Sequence, residues 1–416
     1  MTSEWNHSTI NDVCVLVTDG SHSSPKSVND GKYMVSVKDF TDYGFDFASC
    51  RMISNDDYET LKRNGCVPQI DDILIGKDGA RFFEDIIIYR QREKPALLSS
   101  IAILRCDKSK ILPDFLYYVL RTPSFRQDVK DNYGSGSAIP RIILKDFKRM
   151  MVSYPSLEKQ QGIISVLTAI DSKIQANTEI NDNLQQQAQT LFREWFIDNP
   201  DAVTWKEGTF SDLIEKIISG DWGKDAPSGN NTEMVYCIRG ADIPEVRAGN
   251  KGKMPTRYIL PKNYAAKQLV DGDIVVEISG GSPTQSTGRA AAVSTALLDR
   301  YDKGMVCTNF CKALKPVTGY SMYVYHYWLH LYNMGVFFSY ENGTTGIKNL
   351  DITGFIETEP ILIAPADLVE KFDAFCQSIF AKVYANGFEN EQLALIRDTL
   401  LPKLMTGEVD VSEIEI

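Results

Sequence analysis

Two stretches of the chain place apolar residues at alternating steps of four and three. After Pro155, the residues Ile163, Leu167, Ile170, Ile174, Asn177, Asn181, Leu184, Ala188, Leu191 and Trp195 fall on one seam. After Pro365, the matching set is Phe372, Cys376, Ile379, Val383, Asn386, Asn390, Leu393, Arg397, Leu400 and Leu404. This spacing, kept over roughly four to five heptads, predicts two long helices with a coiled-coil seam. Both seams carry two asparagines at the middle, and the second also carries Arg397. Pro402 predicts a stop or kink near the end of the second helix.

If the helices run antiparallel, facing residues share one sum of residue numbers, 567: Asn177 faces Asn390, Asn181 faces Asn386, and Ile174 faces Leu393. Buried amides cost stability unless partnered, and a polar residue on a coiled-coil seam specifies register. Asn177, Asn181, Asn386 and Asn390 are therefore expected to lock the coil at its centre. A parallel pair would align the same layers, with Asn177 opposite Asn386, but would put both globular parts at one end. Packing of each helix on its own domain, with solvated asparagines, is the other alternative.

Outside the seams, short β-branched and aromatic runs such as "GKYMVSVKDF" and "MVYCIRGADI" alternate with Gly, Asn, Asp and Pro turns, a mixed α/β pattern. One helix is expected near "PDFLYYVLRTPSFRQDVK" and a counterpart near "SMYVYHYWLHLYNM". The second half repeats the landmarks of the first. Trp5 corresponds to Trp205, Asp72 to Asp273, Phe147 to Phe355 and Asn177 to Asn386, with offsets drifting from 200 to 209. Loops vary in length while elements persist, so this is a duplicated domain and not a short-unit solenoid. The expected fold class is α+β. Two mixed α/β domains, 1–155 and 206–365, are joined by two long antiparallel coiled-coil helices, 156–205 and 366–416 (the latter with a tail), in a pseudo-two-fold internal duplication.

Composition adds three points. At 43% hydrophobic and 24% charged, with no apolar run long enough to span a bilayer and no signal peptide, the chain reads as soluble and cytoplasmic. Its eight cysteines are scattered, and the close pair Cys307 and Cys311 has no partner pair, so buried thiols are expected and no metal. The net charge of −11 sits mostly in the two helical segments, while 1–155 balances 21 Lys+Arg against 21 Asp+Glu and 206–365 balances 16 against 17. Either long segment can present a basic face.

Several stretches mimic catalytic motifs. "YGSGSAIP" (133–140) and its counterpart "NGTTGIKN" lack a full phosphate-cradling pattern. In "GDIVVEIS", Asp273 and Glu277 imitate a nuclease carboxylate pair, yet Ser279 stands where a metal-site lysine is wanted. His326 and His330 are four apart on an aromatic helix without a third ligand, which favours packing. No amino-methylation tetrapeptide and no ATP-binding P-loop is present.

Four motifs resemble those of one family. They are "TDGSHSSP" (18–25), "YPSLEKQQGIISVLTAIDSKI" leading into the first helix, "LFREWFIDNP" leaving it, and "LLPKLMTGEVDV" near the C-terminus. Ser21 and Ser156 replace a threonine and a proline of the family pattern, and "APADLVEKFDAF" lacks its Glu-Gln pair. In this order, and with the duplication, the chain resembles the specificity subunit of a Type I restriction–modification system.

The resemblance implies a non-catalytic reader of a bipartite double-stranded DNA target with two target-recognition domains. Two modification subunits would methylate adenine and restriction subunits would cleave. S-adenosylmethionine, ATP and magnesium would be needed only in those partners, and no cofactor, metal or membrane by this chain. An antiparallel coil of about thirty residues spans roughly 45–50 Å, somewhat over the ~34–36 Å turn of B-DNA. Candidate DNA contacts are loop residues at repeated positions: Ser21, His22, Ser23, Lys26, Lys38, Lys77, Arg81 and Arg141 in the first copy, and Trp222, Lys224, Arg239, Arg289 and Lys348 in the second. Lysine and arginine reach phosphate or guanine edges, and serine and histidine donate to bases or backbone. Each has an ordinary solvated reading beside it. A coiled-coil scaffold joining two protein-binding domains without DNA is the alternative function, and a free-standing enzyme with an unrecognised site is a third.

Overall fold

In the four-stranded sheets, runs such as "ILIG" (73–76) and "IAIL" (101–104) carry no polar side chain because these strand segments are buried on both faces. In this computed structural model, which describes residues 5–79, 81–134, 140–282, 284–343 and 347–411, the chain forms two compact units. One comprises Met1–Asp171 with Ala394–Ile416, and the other Ser172–Leu393. Each unit thus takes part of both long helices, where the sequence was divided into two domains and two separate spacers.

In the first unit the strands are β1 (Asn6–Thr9), β2 (Cys14–Asp19), β3 (Lys32–Val35), β4 (Arg51–Ile53), β5 (Ile73–Gly76), β6 (Ile86–Ile88), β7 (Ala96–Leu97), β8 (Ile101–Cys106) and β9 (Met151–Tyr154). β2-β8-β5-β6 make an antiparallel sheet, β1 pairs with β9, and β3 lies between antiparallel β4 and parallel β7. Ile73 and Ile75 join one apolar cluster and Leu74 the other, as strand alternation requires. The expected helix near 113–130 is two helices. α1 (Pro113–Arg121) ends at Thr122, which Pro123 holds extended (φ −59°, ψ 140°) and whose hydroxyl caps the next helix, Pro123–Asn132.

The second unit has β10 (Lys206–Thr209), β11 (Ile214–Ser219), β12 (Glu233–Ile238), β13 (Thr256–Ile259), β14 (Ile274–Glu277), β15 (Ala290–Ala292), β16 (Met305–Cys307), β17 (Cys311–Pro316) and β18 (Pro360–Ile363). Their pairing repeats the first unit strand for strand: β11-β17-β14-β15, β10 with β18, and β12 between antiparallel β13 and parallel β16. An extra small sheet joins Ser279–Gly280, Lys348–Leu350 and Glu341–Asn342. The duplication extends to a buried ion pair at the mouth of the central strand. Asp72 takes Arg105 on two bonds of 2.8 Å, and Asp273 takes Lys315 at 2.7 Å.

Of the long helices, α2 covers Leu157–Phe192 and, after the helix Ser321–Asn333 (α3), α4 covers Ala366–Thr406. Gln160, fully buried, pins the start of α2. Its side chain accepts from Leu112 N at 2.8 Å and donates to Lys110 O and Pro155 O. In the first unit, Asp171 on α2 meets Arg397 on α4 at 2.8 Å, and Lys159 meets Asp410 at 3.5 Å. Ile163, Leu167, Leu401 and Leu404 close the same seam. In the second unit, Asn177 faces Asn390 and Asn181 faces Asn386, so the helices run antiparallel. Pro402 does not stop α4. Its missing N–H removes one backbone donor, and the helix continues to Thr406. No described helix is long and apolar enough to cross a membrane.

Candidate functional site

In each unit, the loops that follow β2, β3 and β5, or β11, β12 and β14, converge at one end of the sheets. A glycine makes this possible. Gly20 and Gly220 are seated so tightly that an added Cβ would overlap the carbonyls of Leu97 and Leu98, or of Cys307 and Thr308. The next residue then pairs with the neighbouring strand: Ser21 N donates to Leu97 O at 2.7 Å, and Asp221 N to Cys307 O at 2.8 Å.

In the first unit, two candidates are turned inward. Ser21 is buried, donates to Ser23 O at 2.8 Å and shares a hydroxyl contact with Ser23. Lys77 is buried and ion-paired with Asp19 at 3.2 Å. Neither presents its polar group at the surface. His22 is exposed, with its ring 3.3 Å from Asp19. Ser23, Lys26, Lys38, Arg81 and Arg141 are exposed as well. Arg81 holds Asp85 at 2.6 Å, and Arg141 pairs its backbone with Asp78. The central residues of two suspect loops, 135–139 and 344–346, lie outside the described residues.

In the second unit, three of five candidates are engaged by carboxylates. Arg239 grips Asp242 at 2.9 and 3.0 Å, Arg289 grips Glu277 at 2.8 and 2.7 Å, and Lys348 meets Glu341 at 2.7 Å. Burial pushes the Asp242 carboxyl up, yet Arg239 and backbone N–H groups of residues 239 and 253 more than offset it and hold the carboxyl below its usual range. Trp222 is 38% exposed, and the Arg257 guanidinium lies 4.0 Å from its ring centroid. Lys224 is exposed, and its backbone pairs with Tyr258. A residue that the sequence did not suggest is Phe310, 61% exposed on the turn before β17. Its backbone oxygen accepts from Ile278 N at 2.9 Å, just as Ser100 O accepts from Lys77 N at 2.9 Å in the first unit. The signal for it was its equivalence with the "SS" at 99–100, legible only once strands were paired.

The catalytic look-alikes are occupied. Asp273 is spent on Lys315 and Glu277 on Arg289. His326 is buried between Gln189 (3.1 Å) and the Cys376 thiol (3.6 Å), and burial drives its pKa down to about 3. Among the described residues, no group of three or more His, Cys, Asp or Glu is arranged to hold a metal. The asparagines are buried and bonded. Asn177 Nδ2 donates to Asn390 Oδ1 at 2.9 Å and to Glu389 at 2.8 Å, and Asn386 Nδ2 donates to Asn181 Oδ1 at 2.8 Å. Asn181 Nδ2 in turn donates to the carbonyls of Val383 and Ala248. The layer therefore also ties in the 248–250 loop of the second unit.

Residues 2–186 match the family model described as Type I restriction modification DNA specificity domain. The chain is 26% identical over 333 residues to the Type I restriction enzyme MjaIX specificity subunit of Methanocaldococcus jannaschii, covering 74% of this chain and 71% of that one. It is 25% identical over 373 residues to the HindI specificity subunit of Haemophilus influenzae, covering 74% of this chain and 80% of that one. A solved Type I restriction-modification S subunit from M. genitalium superimposes with a TM-score of 0.54 at 15% identity, covering 97% of this chain and 96% of that one, a likeness of fold.

Proposed function

Because residues 2–186 match the Type I restriction modification DNA specificity domain and the chain is similar to two Type I specificity subunits, we propose that it is a subunit of this kind and reads a two-part duplex-DNA target, one part with the loop end of each unit. The chain is a non-catalytic DNA-recognition subunit. The reading extends this to two modification subunits, which would hold S-adenosylmethionine and methylate adenine, and to restriction subunits using ATP and magnesium, all in the cytoplasm.

The observation that carries the two-part reading is the repeated three-sheet topology with unlike side chains at its converging loops. In the first unit, His22, Ser23, Lys26, Lys38, Arg81 and Arg141 are assigned to phosphates and base edges, and in the second, Trp222 and Lys224. Ser21, Lys77, Arg239, Arg289 and Lys348 support the loops from within, since each is buried or half-buried as well as held by a protein partner, whereas Arg81 pairs with Asp85 while largely exposed. The four coil asparagines are assigned to register, because a slip of one turn would set bonded amides against apolar layers.

The test is an exchange. Replacing residues 1–155 by those of a relative, in cells carrying the partner subunits, should change one half of the methylated sequence and leave the other intact. Methylome sequencing reads this directly. Alteration of both halves, or of neither, defeats the proposal.

A further inference from the structure

The second unit carries an apolar side chain that its own fold leaves uncovered at the converging loops. Phe310 is 61% exposed, yet the turn that bears it is held on every side. Cys311 N closes the turn onto Thr308 O at 2.9 Å, Thr308 N donates to Ile238 O, and Ile278 N donates to Phe310 O. Gly220 leaves no room beneath the Thr308 carbonyl for the turn to sink. A phenylalanine ring held out on a rigid turn is preorganised to enter something.

Its surroundings suit a polyanion. The adjacent loop, tied on by Asp221 N to Cys307 O, carries Trp222 braced by Arg257, and exposed Lys224. The next residue but one, Lys312, reaches Ser219 at 2.7 Å across the strand pair. Arg257 itself is buried and paired with Asp225, so the cations left beside the ring are Lys224 and Lys312. An apolar wedge beside such lysines matches proteins that push an aromatic or aliphatic side chain between base steps and hold the backbone on either side. In the first unit, the backbone-equivalent position is Ser100.

We infer that Phe310 inserts between base pairs in the half-site read by the second unit and kinks it there, while the first unit reads its half-site without a wedge. The inference rests on the DNA-reading proposal above. It makes the two half-sites unlike in physics as well as in sequence. One is sensed partly through how easily a step unstacks, and pyrimidine–purine steps unstack most easily.

The experiment uses the full chain in complex with its modification subunits and duplexes bearing the methylated target. 2-Aminopurine is scanned through each half-site at steps away from the adenine to be methylated and its neighbours, because a methyltransferase flips out its own target base. Fluorescence should rise severalfold at one step of the second unit's half-site and at none of the first's. Phe310→Ala should abolish the rise and weaken binding on the order of tenfold to a hundredfold. Phe310→Leu should keep most of both. A mismatch at that step should tighten wild-type binding, because the step is already unstacked, and leave Phe310→Ala unmoved, which a structural role for the ring would not produce. Thermal melting should be the same for all three chains. If Phe310→Ala retains the rise, or specific binding occurs with no rise anywhere, the wedge is overturned while the DNA-reading proposal stands. If the complex fails to bind the target at all, the underlying reading falls and the wedge with it.

Discussion

At one layer of the coil, the first unit sets Asp171 against Arg397. The 209-residue offset makes Ala188 and Phe380 the counterparts in the second unit, where they join one apolar cluster. The same contrast recurs at the loops. The first unit offers serine, histidine and several exposed cations, and the second offers Trp222, Phe310 and exposed Lys224, with its other three candidate cations engaged by carboxylates. Backbone hydrogen bonds survived the duplication, down to the paired bonds Lys77–Ser100 and Ile278–Phe310. Side chains outside that ladder were free to diverge. A strand ladder constrains N–H and C=O groups and leaves one side chain in two facing outward.

The largest effect should come from breaking the charged layer. Arg397 is kept charged against the burial that opposes it by its bonds to Asp171 and Asp398. Arg397→Ala strands the Asp171 carboxylate with Tyr118 alone, and should cost about 3 kcal/mol or more in chemical denaturation. Replacing both partners with leucine should cost far less, copying the apolar layer of the second unit. A single substitution costing under ~1 kcal/mol would mean that the pair is solvent-screened and the two layers differ little.

Next comes the docking of the 248–250 loop. An added Cβ on Gly387 would overlap the Gly249 carbonyl, and Gly249 itself has φ +86°. Gly387→Ala should destabilise by roughly 2–3 kcal/mol, although in a free helix this change gains about 1 kcal/mol. Thr178, its counterpart on α2, is exposed and meets no such loop, its hydroxyl accepting from Asn390 Nδ2 at 3.4 Å. Thr178→Ala should cost under ~1 kcal/mol. Equal effects at the two positions would erase the distinction.

Acid should also separate the units. With His326 pushed down to about 3 in the fold and near 6.5 when unfolded, the unfolded chain binds the extra proton between those values. Stability is therefore full above about pH 6.5 and falls as pH drops, by about 1.4 kcal/mol per unit, or roughly 2 kcal/mol by pH 5. His326→Phe should flatten this slope in urea melts. The corresponding α1 contains no histidine, so the loss should appear in the second unit's probes.

The smallest stability effect belongs to the exposed loop cations. Arg81→Ala should change stability by less than ~0.5 kcal/mol, while lowering the salt slope of DNA binding by about 1. An unchanged slope would remove Arg81 from the interface.

The two long helices were legible because heptad spacing is local. The asparagine layers matched in either sense, and the antiparallel pairing was preferred because a parallel one would put both globular parts at one end. The duplication was legible from Trp, Asp, Phe and Asn landmarks. The break at Thr122 was missed because an apolar stripe outweighed Pro123, whose steric effect on its predecessor is short-ranged. Pro402 misled in the opposite sense, since a helix packed along its length tolerates one lost donor.

By itself, the sequence determined the repeat, the coil and the family resemblance, all of which are written in the order and spacing of residues along the chain. Only the tertiary structure decided which candidate side chains remain available. Lys77 is consumed by Asp19, 58 positions away, and Arg289 by Glu277 on the neighbouring strand. Phe310 became visible only when strand pairing put it opposite Ile278. Availability depends on what lies across space, and burial and ion pairing are properties of the folded neighbourhood that linear spacing does not carry.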